Sequence, residues 1–355
     1  MTSDGVRCAL MRGGTSKGAV FLADDLPPSG ADRDDLLLRV MGSPDRRQID
    51  GVGGAHPLTS KVAVVSTSSE PDVDVDYLFL QVVVDKPVVS DSQTCGNMLA
   101  AVGPFAVERG LVGAYGGVTP VRVRMLNTGG RATLHVRTPG GTVTYEGDTD
   151  LAGVPGTAAP VDIELAPPSA PLLPTGAVID RLAGLDVTCI DNGMPTVVVR
   201  AGDLGITGGE PPDELEADDA LRERVHLVRA AASAAMGLST DLETSTVPKI
   251  VLVSSPEEGG SLRTRSFIPH RVHEAIGVLG GASIAAAAAL PGTVAYDLAA
   301  RPGGRVRLEH PTGFLDLALD VDQAAGDTPR VSRTSVVRTA RMLLDGTVFP
   351  GPARL

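Results

Sequence analysis

The residues with the most chemical promise lie in Ser90-Asp-Ser-Gln-Thr-Cys95-Gly-Asn-Met-Leu-Ala-Ala-Val102. Asp91, Ser92 and Thr94 are helix-starting types, and residues 98–107 are almost entirely apolar, which predicts a buried helix with Cys95 in its first turn. Gly96 and Asn97 leave the first backbone amides nearly bare. A helix N-terminus favours negative charge, so this one can stabilise a thiolate and receive a substrate carboxylate. Cys95 can therefore exchange a proton with carbon, or act as a nucleophile if a His lies close. A second group is Lys61, which follows Thr59 and Ser60 and opens an apolar strand. Partial burial there disfavours the ammonium form and makes Lys61 a base, whereas a Lys that snorkels to water has no such role.

Three cationic residues fall in Arg263-Thr-Arg-Ser-Phe-Ile-Pro-His-Arg-Val-His273. Arg265, His270 and His273 could meet an anionic substrate or form a solvated basic face. No carboxylate or Cys stands at zinc-type spacing from the two His, so no metal is expected. Cys8 and Cys189 sit inside strand-like runs and read as inert buried thiols. Residues 12–18, Arg-Gly-Gly-Thr-Ser-Lys-Gly, make a glycine-rich turn with hydroxyls at its tip. That turn lacks phosphate-loop spacing and is followed by a strand, which argues against a nucleotide site.

Positioning these groups requires a large frame. The 355 residues exceed one ordinary core, so two domains are expected. Forty-two Gly and 27 Pro imply many turns and hence many strands. A net charge of −12 leaves no basic surplus for nucleic acid. An odd set of three Cys suits a reducing cytoplasm. The start has no apolar signal segment, and the longest apolar run, residues 282–290, is too short for a membrane span.

Strands are expected at 6–10, 19–22, 61–66, 77–84, 121–126, 132–136 and 142–145, and then at 186–190, 197–200, 249–254, 262–267, 315–321 and 331–339. Helices are expected at 32–41, from Cys95 through a Pro104 kink to a stop at Gly110, at 218–236, and as a glycine turn feeding an apolar helix within 276–290. The Pro-rich stretches 153–160 and 166–171 are the candidate linker. Each apolar helix follows a strand–Gly–Thr–strand unit, so the chain reads as an internal duplication whose two helix N-termini face one cleft.

Met11-Arg-Gly-Gly-Thr-Ser-Lys-Gly18, residues 51–61, Cys95-Gly-Asn97, Asp191-Asn-Gly-Met-Pro195, Arg265-Ser-Phe-Ile-Pro-His270 and Arg338-Thr-Ala-Arg341 together resemble the 4-oxalomesaconate tautomerases, a family allied to 2-methylaconitate and 3-methylitaconate isomerases. The resemblance spans nearly the whole chain. It implies an α/β (α+β) diaminopimelate-epimerase-like fold, with domains 1–172 and 173–355 each wrapping a mixed or antiparallel sheet round a central helix, and the site between them. It implies no cofactor and an allylic 1,3-proton shift, with Lys61 and Cys95 as the acid/base pair in either order. Thr15, Ser16, Ser60, Gly96, Asn97, Met98, Arg265, His270 and Ser283 are the expected substrate-binding residues. The epimerases carry a second Cys at the start of the second helix. Ser283 stands at the matching turn here, which leaves Lys61 to oppose Cys95. The expected partner is a small tricarboxylate-like substrate, with no nucleic acid and no membrane, and with a homodimer as an open assembly. A 2-methylaconitate or aconitate isomerase, and a non-catalytic accessory protein of a partner enzyme, stand as alternatives.

Overall fold

A computed structural model of the chain describes residues 5–28, 30–168, 170–239, 241–242, 245–268, 271–300, 304–322 and 329–352. The chain divides into two units, Met1–Glu164 with Val337–Leu355, and Leu165–Val336. Against the expected 1–172 and 173–355, the first unit ends earlier and takes back the C-terminal stretch.

The first unit contains β1 (Val6–Gly13), β2 (Ser16–Leu22), α1 (Ala31–Met41), β3 (Lys61–Thr67), β4 (Val75–Val82), β5 (Val89–Ser90), α2 (Gly96–Glu108), β6 (Val118–Met125) and β7 (Arg131–Arg137). After these come β8 (Thr149–Leu151), β9 (Val154–Ala158) and β10 (Pro160–Leu165). The strands form a closed ring, β1-β2-β3-β4-β6-β7-β10 and a C-terminal strand that pairs back onto β1. α2 fills the ring, packing on β1, β2, β3, β4, β6 and β7. Gly96 to Ala106 are all buried, and each large apolar side chain among them contributes about 1.5–3 kcal/mol. β3 reads Lys-Val-Ala-Val-Val because both its faces are covered, by α2 inside and by α1 outside, where Val62 and Val64 meet Leu37 and Met41. By contrast β6 and β7 alternate exposed and buried positions, as half-covered strands should. α2 continues through Pro104 and stops at Gly110 (φ 71°), where Leu111 N–H bonds Ala106 O and Gly110 N–H bonds Val107 O.

The second unit contains β11 (Asp180–Leu182), β12 (Leu185–Asp191), β13 (Pro195–Arg200), α3 (Pro212–Ala217), α4 (Asp219–Ala235) and β14 (Lys249–Ser254). It continues with β15 (Leu262–Phe267), α5 (Val278–Ala289), β16 (Arg305–His310) and β17 (Gly313–Asp322), and then the first part of β18 (Arg330–Val348). α5 packs on β12, β13, β16 and β17, while α4 buries Val225 and Val228 on the other face, against Val187, Val197 and Val199. Asp218 caps α4 by accepting from Leu221 N–H at 2.9 Å.

The duplication is real at the level of pairing. β1–β2 and β12–β13 are antiparallel, β2–β3 and β13–β14 parallel, and β3–β4 and β14–β15 antiparallel. The pairs β4–β6 and β15–β16 are again parallel, and β6–β7 and β16–β17 antiparallel, with α2 and α5 in the same crossover. Two pseudo-symmetric α+β units, each with a mixed sheet and a central helix, are what the resemblance implied.

Several expectations need correction. Residues 142–145 make no strand, and the stretch expected as linker at 153–160 is folded, as β9 in a hairpin with β8. Gly153, in the left-handed region, closes the turn of that hairpin. The expected strand at 331–339 runs on to Val348, because its second half closes the first unit's ring. In α5, Gly280 and Gly281 lie inside the helix rather than in a turn before it. A Cβ on Gly281 would stand 2.4 Å from Leu315 Cδ2, so a larger residue there would push the Leu315 side chain aside. Among the described residues no helix is long and apolar enough to cross a membrane.

Candidate active site

The start of α2 is assembled by the β1–β2 turn. Cys95 is the N-cap residue, extended at φ −128° and ψ 105°, and its side chain makes no capping bond. The first-turn amides of Gly96, Asn97 and Met98 have no acceptor within the helix. The turn approaches them very closely. A Cβ on Gly13 would lie 2.5 Å from Asn97 O and 3.1 Å from Met98 Cα. Asn97 Nδ2 donates to Thr15 Oγ1 at 3.1 Å, which fixes the Asn97 amide. Ser16 is 2% exposed and Asn97 4% exposed. Ser16 Oγ, Asn97 Oδ1 and the Oγ1 of buried Thr94 have no hydrogen-bond partner among the described residues. Three orphaned buried oxygens beside a bare helix start are costly unless something supplies their partners.

Lys61 stands at the mouth of β3, only 6% exposed. Its Nζ donates to Gln81 Oε1 at 2.8 Å and lies 4.9 Å from the centre of the Phe79 ring. No carboxylate pairs with it among the described residues; its partners are a neutral amide and a π-face. Gln81 Nε2 donates to Ser60 O at 2.9 Å, Pro57 O at 3.1 Å and Val82 O at 3.3 Å. Those carbonyls orient the amide so that its oxygen faces Lys61. Tyr77, two residues before Phe79 on the same face of β4, donates its hydroxyl to Cys95 O at 3.1 Å. Burial first, and the neighbouring Cys95 second, hold the Tyr77 phenol well above its usual range, so it remains a donor. Tyr77, Phe79 and Gln81 thus form one row on β4 that carries Cys95 at one end and Lys61 at the other.

Ser60, expected among the substrate-binding residues, is held by the fold. Its hydroxyl donates to Val82 O at 2.9 Å and accepts from Gln48 Nε2 at 2.7 Å, so it is engaged in holding the loop before β3. The other two thiols, Cys8 and Cys189, are buried. Burial, with Asp345 second, pushes Cys8 up to about 11, and burial, with Asp180 second, pushes Cys189 up to about 12.

In the second unit, Arg265 is buried and clamps a loop. Nε donates to Glu210 O at 2.7 Å, Nη2 to Gly209 O at 2.8 Å and Nη1 to Thr264 O at 2.9 Å. Burial, and next Arg263, lower its pKa. Ser283 lies in the second turn of α5 rather than at its start, fully buried. Its hydroxyl donates to Met194 O at 2.8 Å and accepts from Asn192 N–H at 2.9 Å. That hydroxyl ties the β12–β13 turn to the helix and has no donor left over. His273 Nδ1 accepts from Ala275 N–H at 2.9 Å, a local turn bond. His270 lies outside the described residues. Among the described residues no group of three or more His, Cys, Asp or Glu could hold a metal ion.

Sequence reasoning missed Gln81, Phe79, Tyr77 and Thr94. The signal for the first three was their i, i+2, i+4 spacing on the strand expected next after the Lys61 strand.

The PrpF protein family model matches residues 4–350. A (4E)-oxalomesaconate Delta-isomerase from Novosphingobium sp. (strain KA1) is 52% identical over 353 residues, covering 98% of each chain. A 4-oxalomesaconate tautomerase from Pseudomonas putida is 51% identical over 353 residues, covering 98% of this chain and 96% of its own. The crystal structure of a methylitaconate-delta-isomerase superposes with a TM-score of 0.83 at 32% identity, over 100% of this chain and 99% of that one. A hydroxyproline epimerase from Agrobacterium vitis shares the fold alone, with a TM-score of 0.61 at 14% identity over 98% and 92% of the two chains. An epimerase-like fold, a full-length family match and isomerase relatives at this level of identity agree: the chain is an isomerase that belongs to the PrpF family.

Proposed function

We propose that this isomerase transposes a double bond of 4-oxalomesaconate by an allylic 1,3-proton shift, with Lys61 and Cys95 as the two proton-transfer groups. The reading rests on one observation: a Lys with no carboxylate partner among the described residues and a cysteine at a bare helix start stand along one face of β4. One group takes a proton from the carbon between the keto carbonyl and the double bond, where the carbonyl activates it. The C–H electron pair moves into the conjugated system as a dienolate, and the other group returns a proton to a different carbon. Substrate and product have the same atoms, so no oxidant or reductant is consumed. Either group can start as the base.

The dienolate is the difficult species, and α2 addresses it. The amides of Gly96, Asn97 and Met98, at the positive end of the helix, favour developing charge, and one well-placed donor is worth about 3 kcal/mol. Thr15, the Ser16 and Thr94 hydroxyls and the Asn97 side chain surround that position as carboxylate partners. Gln81 is a positioning residue that holds Lys61 Nζ over Phe79. The substrate assignment draws on the two relatives named for oxalomesaconate, and a place in aromatic-acid (gallate or protocatechuate) breakdown follows from that substrate.

The methylitaconate isomerase likeness supports a second reading, in which the same machinery serves an aconitate-type acid. Side-by-side turnover of 4-oxalomesaconate, 2-methylaconitate and trans-aconitate tests the choice. The proposal expects kcat/KM for 4-oxalomesaconate to exceed the others by at least about a hundredfold, of the order a site achieves when its polar groups match one substrate. A preference for either aconitate overturns it.

A further inference from the structure

Two stretches that carry the family resemblance, residues 11–18 and 338–341, contribute basic residues that the proposed chemistry leaves unused. Arg12 on β1 pairs in register with Lys17 on β2 and with Arg341 on β18. Directly paired residues of antiparallel strands point to one face, so three cations stand in a row across three strands. Their face is the outer one. Ala19 and Cys8, on the same side of β2 and β1, lie in the core under α1, whereas Gly13 and Gly18 face α2 and Met98. The sheet therefore separates this row from Lys61 and Cys95.

Like charges in cross-strand register repel, and the chain as a whole is acidic. Even so, none of the three forms an ion pair among the described residues, where Asp345 on the same strand pairs with both Arg109 and Arg7. Burial and the neighbouring Arg341 lower the Arg12 pKa. Arg12 is held in place by Nη1 alone, which donates to Gly14 O, Thr339 O and Thr339 Oγ1, each at 3.0 Å. Its Nε and Nη2 have no partner among the described residues. Arg12, Arg341 and Thr339 line a pocket of about 440 Å³, walled by β9 and by Tyr145, whose buried hydroxyl also lacks a partner among the described residues. Glu146 is the one acidic residue in that lining among the described residues, against the two cations Arg12 and Arg341.

We infer that this pocket is a second anion site, outside the isomerase centre, that takes a small di- or tricarboxylate. Guanidinium groups bind carboxylates two-pronged. Arg12 and Arg341 lie on adjacent strands about 4.8 Å apart, while Lys17, one strand further on, is not among the lining residues. Two guanidinium groups at that spacing suit an anion with separated carboxylates better than a single phosphate, and the volume lies within the range for small ligands.

Isothermal titration of the full chain with citrate, and separately with inorganic phosphate, tests the inference. The proteins are wild type, Arg341→Gln and Arg341→Glu, with circular dichroism confirming that each is folded. The expected result is citrate binding in wild type, at least about tenfold weaker in Arg341→Gln and lost at this site in Arg341→Glu. Phosphate binds at least about tenfold more weakly than citrate. Inhibition of isomerisation by citrate at the active site keeps its wild-type constant in both variants, which separates the two sites. Citrate isotherms in the variants that superpose on wild type overturn the site. Phosphate binding equal to that of citrate overturns the assignment to polycarboxylates.

Discussion

The two units use one pairing scheme to build two helix starts of opposite character. At α2, Ser16, Thr94 and Asn97 keep buried oxygens without partners among the described residues, and Cys95 caps the helix without spending its side chain. At α5, the equivalent polar residues are consumed by the fold. Ser283 bridges Met194 O and Asn192 N–H, and Asn192 Nδ2 donates to Ala282 O at 3.2 Å and Thr334 Oγ1 at 3.0 Å. An unsatisfied buried oxygen costs stability and a satisfied one returns it, so the first unit stores a deficit where the second is closed. In the proposed reaction the Ser16 and Thr94 hydroxyls are free to donate to substrate carboxylates, while Asn97 Oδ1, an acceptor, is free to take a donor.

The largest test of this contrast is loss of the two proposed proton-transfer groups. Lys61→Ala and Cys95→Ser are each expected to lower kcat by about 10²–10⁴-fold, the usual contribution of a positioned acid or base, with melting little changed. Full turnover in either variant would place the chemistry elsewhere. Next is Gly13→Ala, whose methyl would meet the backbone of Asn97 and Met98. Overpacking of this kind costs about 1–3 kcal/mol, and displacing the helix start lowers activity as well. A denaturant midpoint and rate equal to wild type would show that the contact is not needed.

The sharpest pair comes third. Ser283→Ala strands the Asn192 amide and is expected to destabilise by about 1–3 kcal/mol while kcat/KM stays within a few-fold. Ser16→Ala, which removes an orphaned hydroxyl, is expected to do the reverse, with stability unchanged or raised and KM increased. The smallest effect is that of Thr94→Val, an isosteric change at another orphaned hydroxyl. A rise of a few-fold in KM without loss of stability is the expected outcome. If Ser16→Ala and Thr94→Val instead melt early and leave KM alone, the two helix starts are equally structural.

How much of this was legible beforehand depends on range. Cys95 at a helix start, Lys61 at a buried strand mouth and the duplicated frame follow from local pattern, since a helix-starting run before an apolar stretch and a Lys before alternating Val are visible within a few residues. The hexapeptides Lys61-Val-Ala-Val-Val-Ser66 and Lys249-Ile-Val-Leu-Val-Ser254 open β3 and β14, and would have aligned the two units directly. What local pattern could not reveal was which polar groups were already spoken for. Ser60 and Ser283 share residue type and context with Ser16, yet their partners, Val82 O with Gln48 and Met194 O with Asn192, come from 22 and 12 or from 89 and 91 positions away. The strand at residues 154–158 was hidden for a related reason. Its Gly and Pro content reads as a linker until the partner strand is known.

The most direct measurement is solvent deuterium entry into 4-oxalomesaconate, followed by NMR for wild type, Lys61→Ala and Cys95→Ser. If Lys61 and Cys95 are the two proton-transfer groups, as proposed, wild type should place deuterium at the carbon that gains a proton, and both variants should fail to complete the shift. The variant lacking only the returning acid can still exchange at the carbon that loses its proton, which would identify the base. Exchange and isomerisation at wild-type rate in both variants would contradict the account.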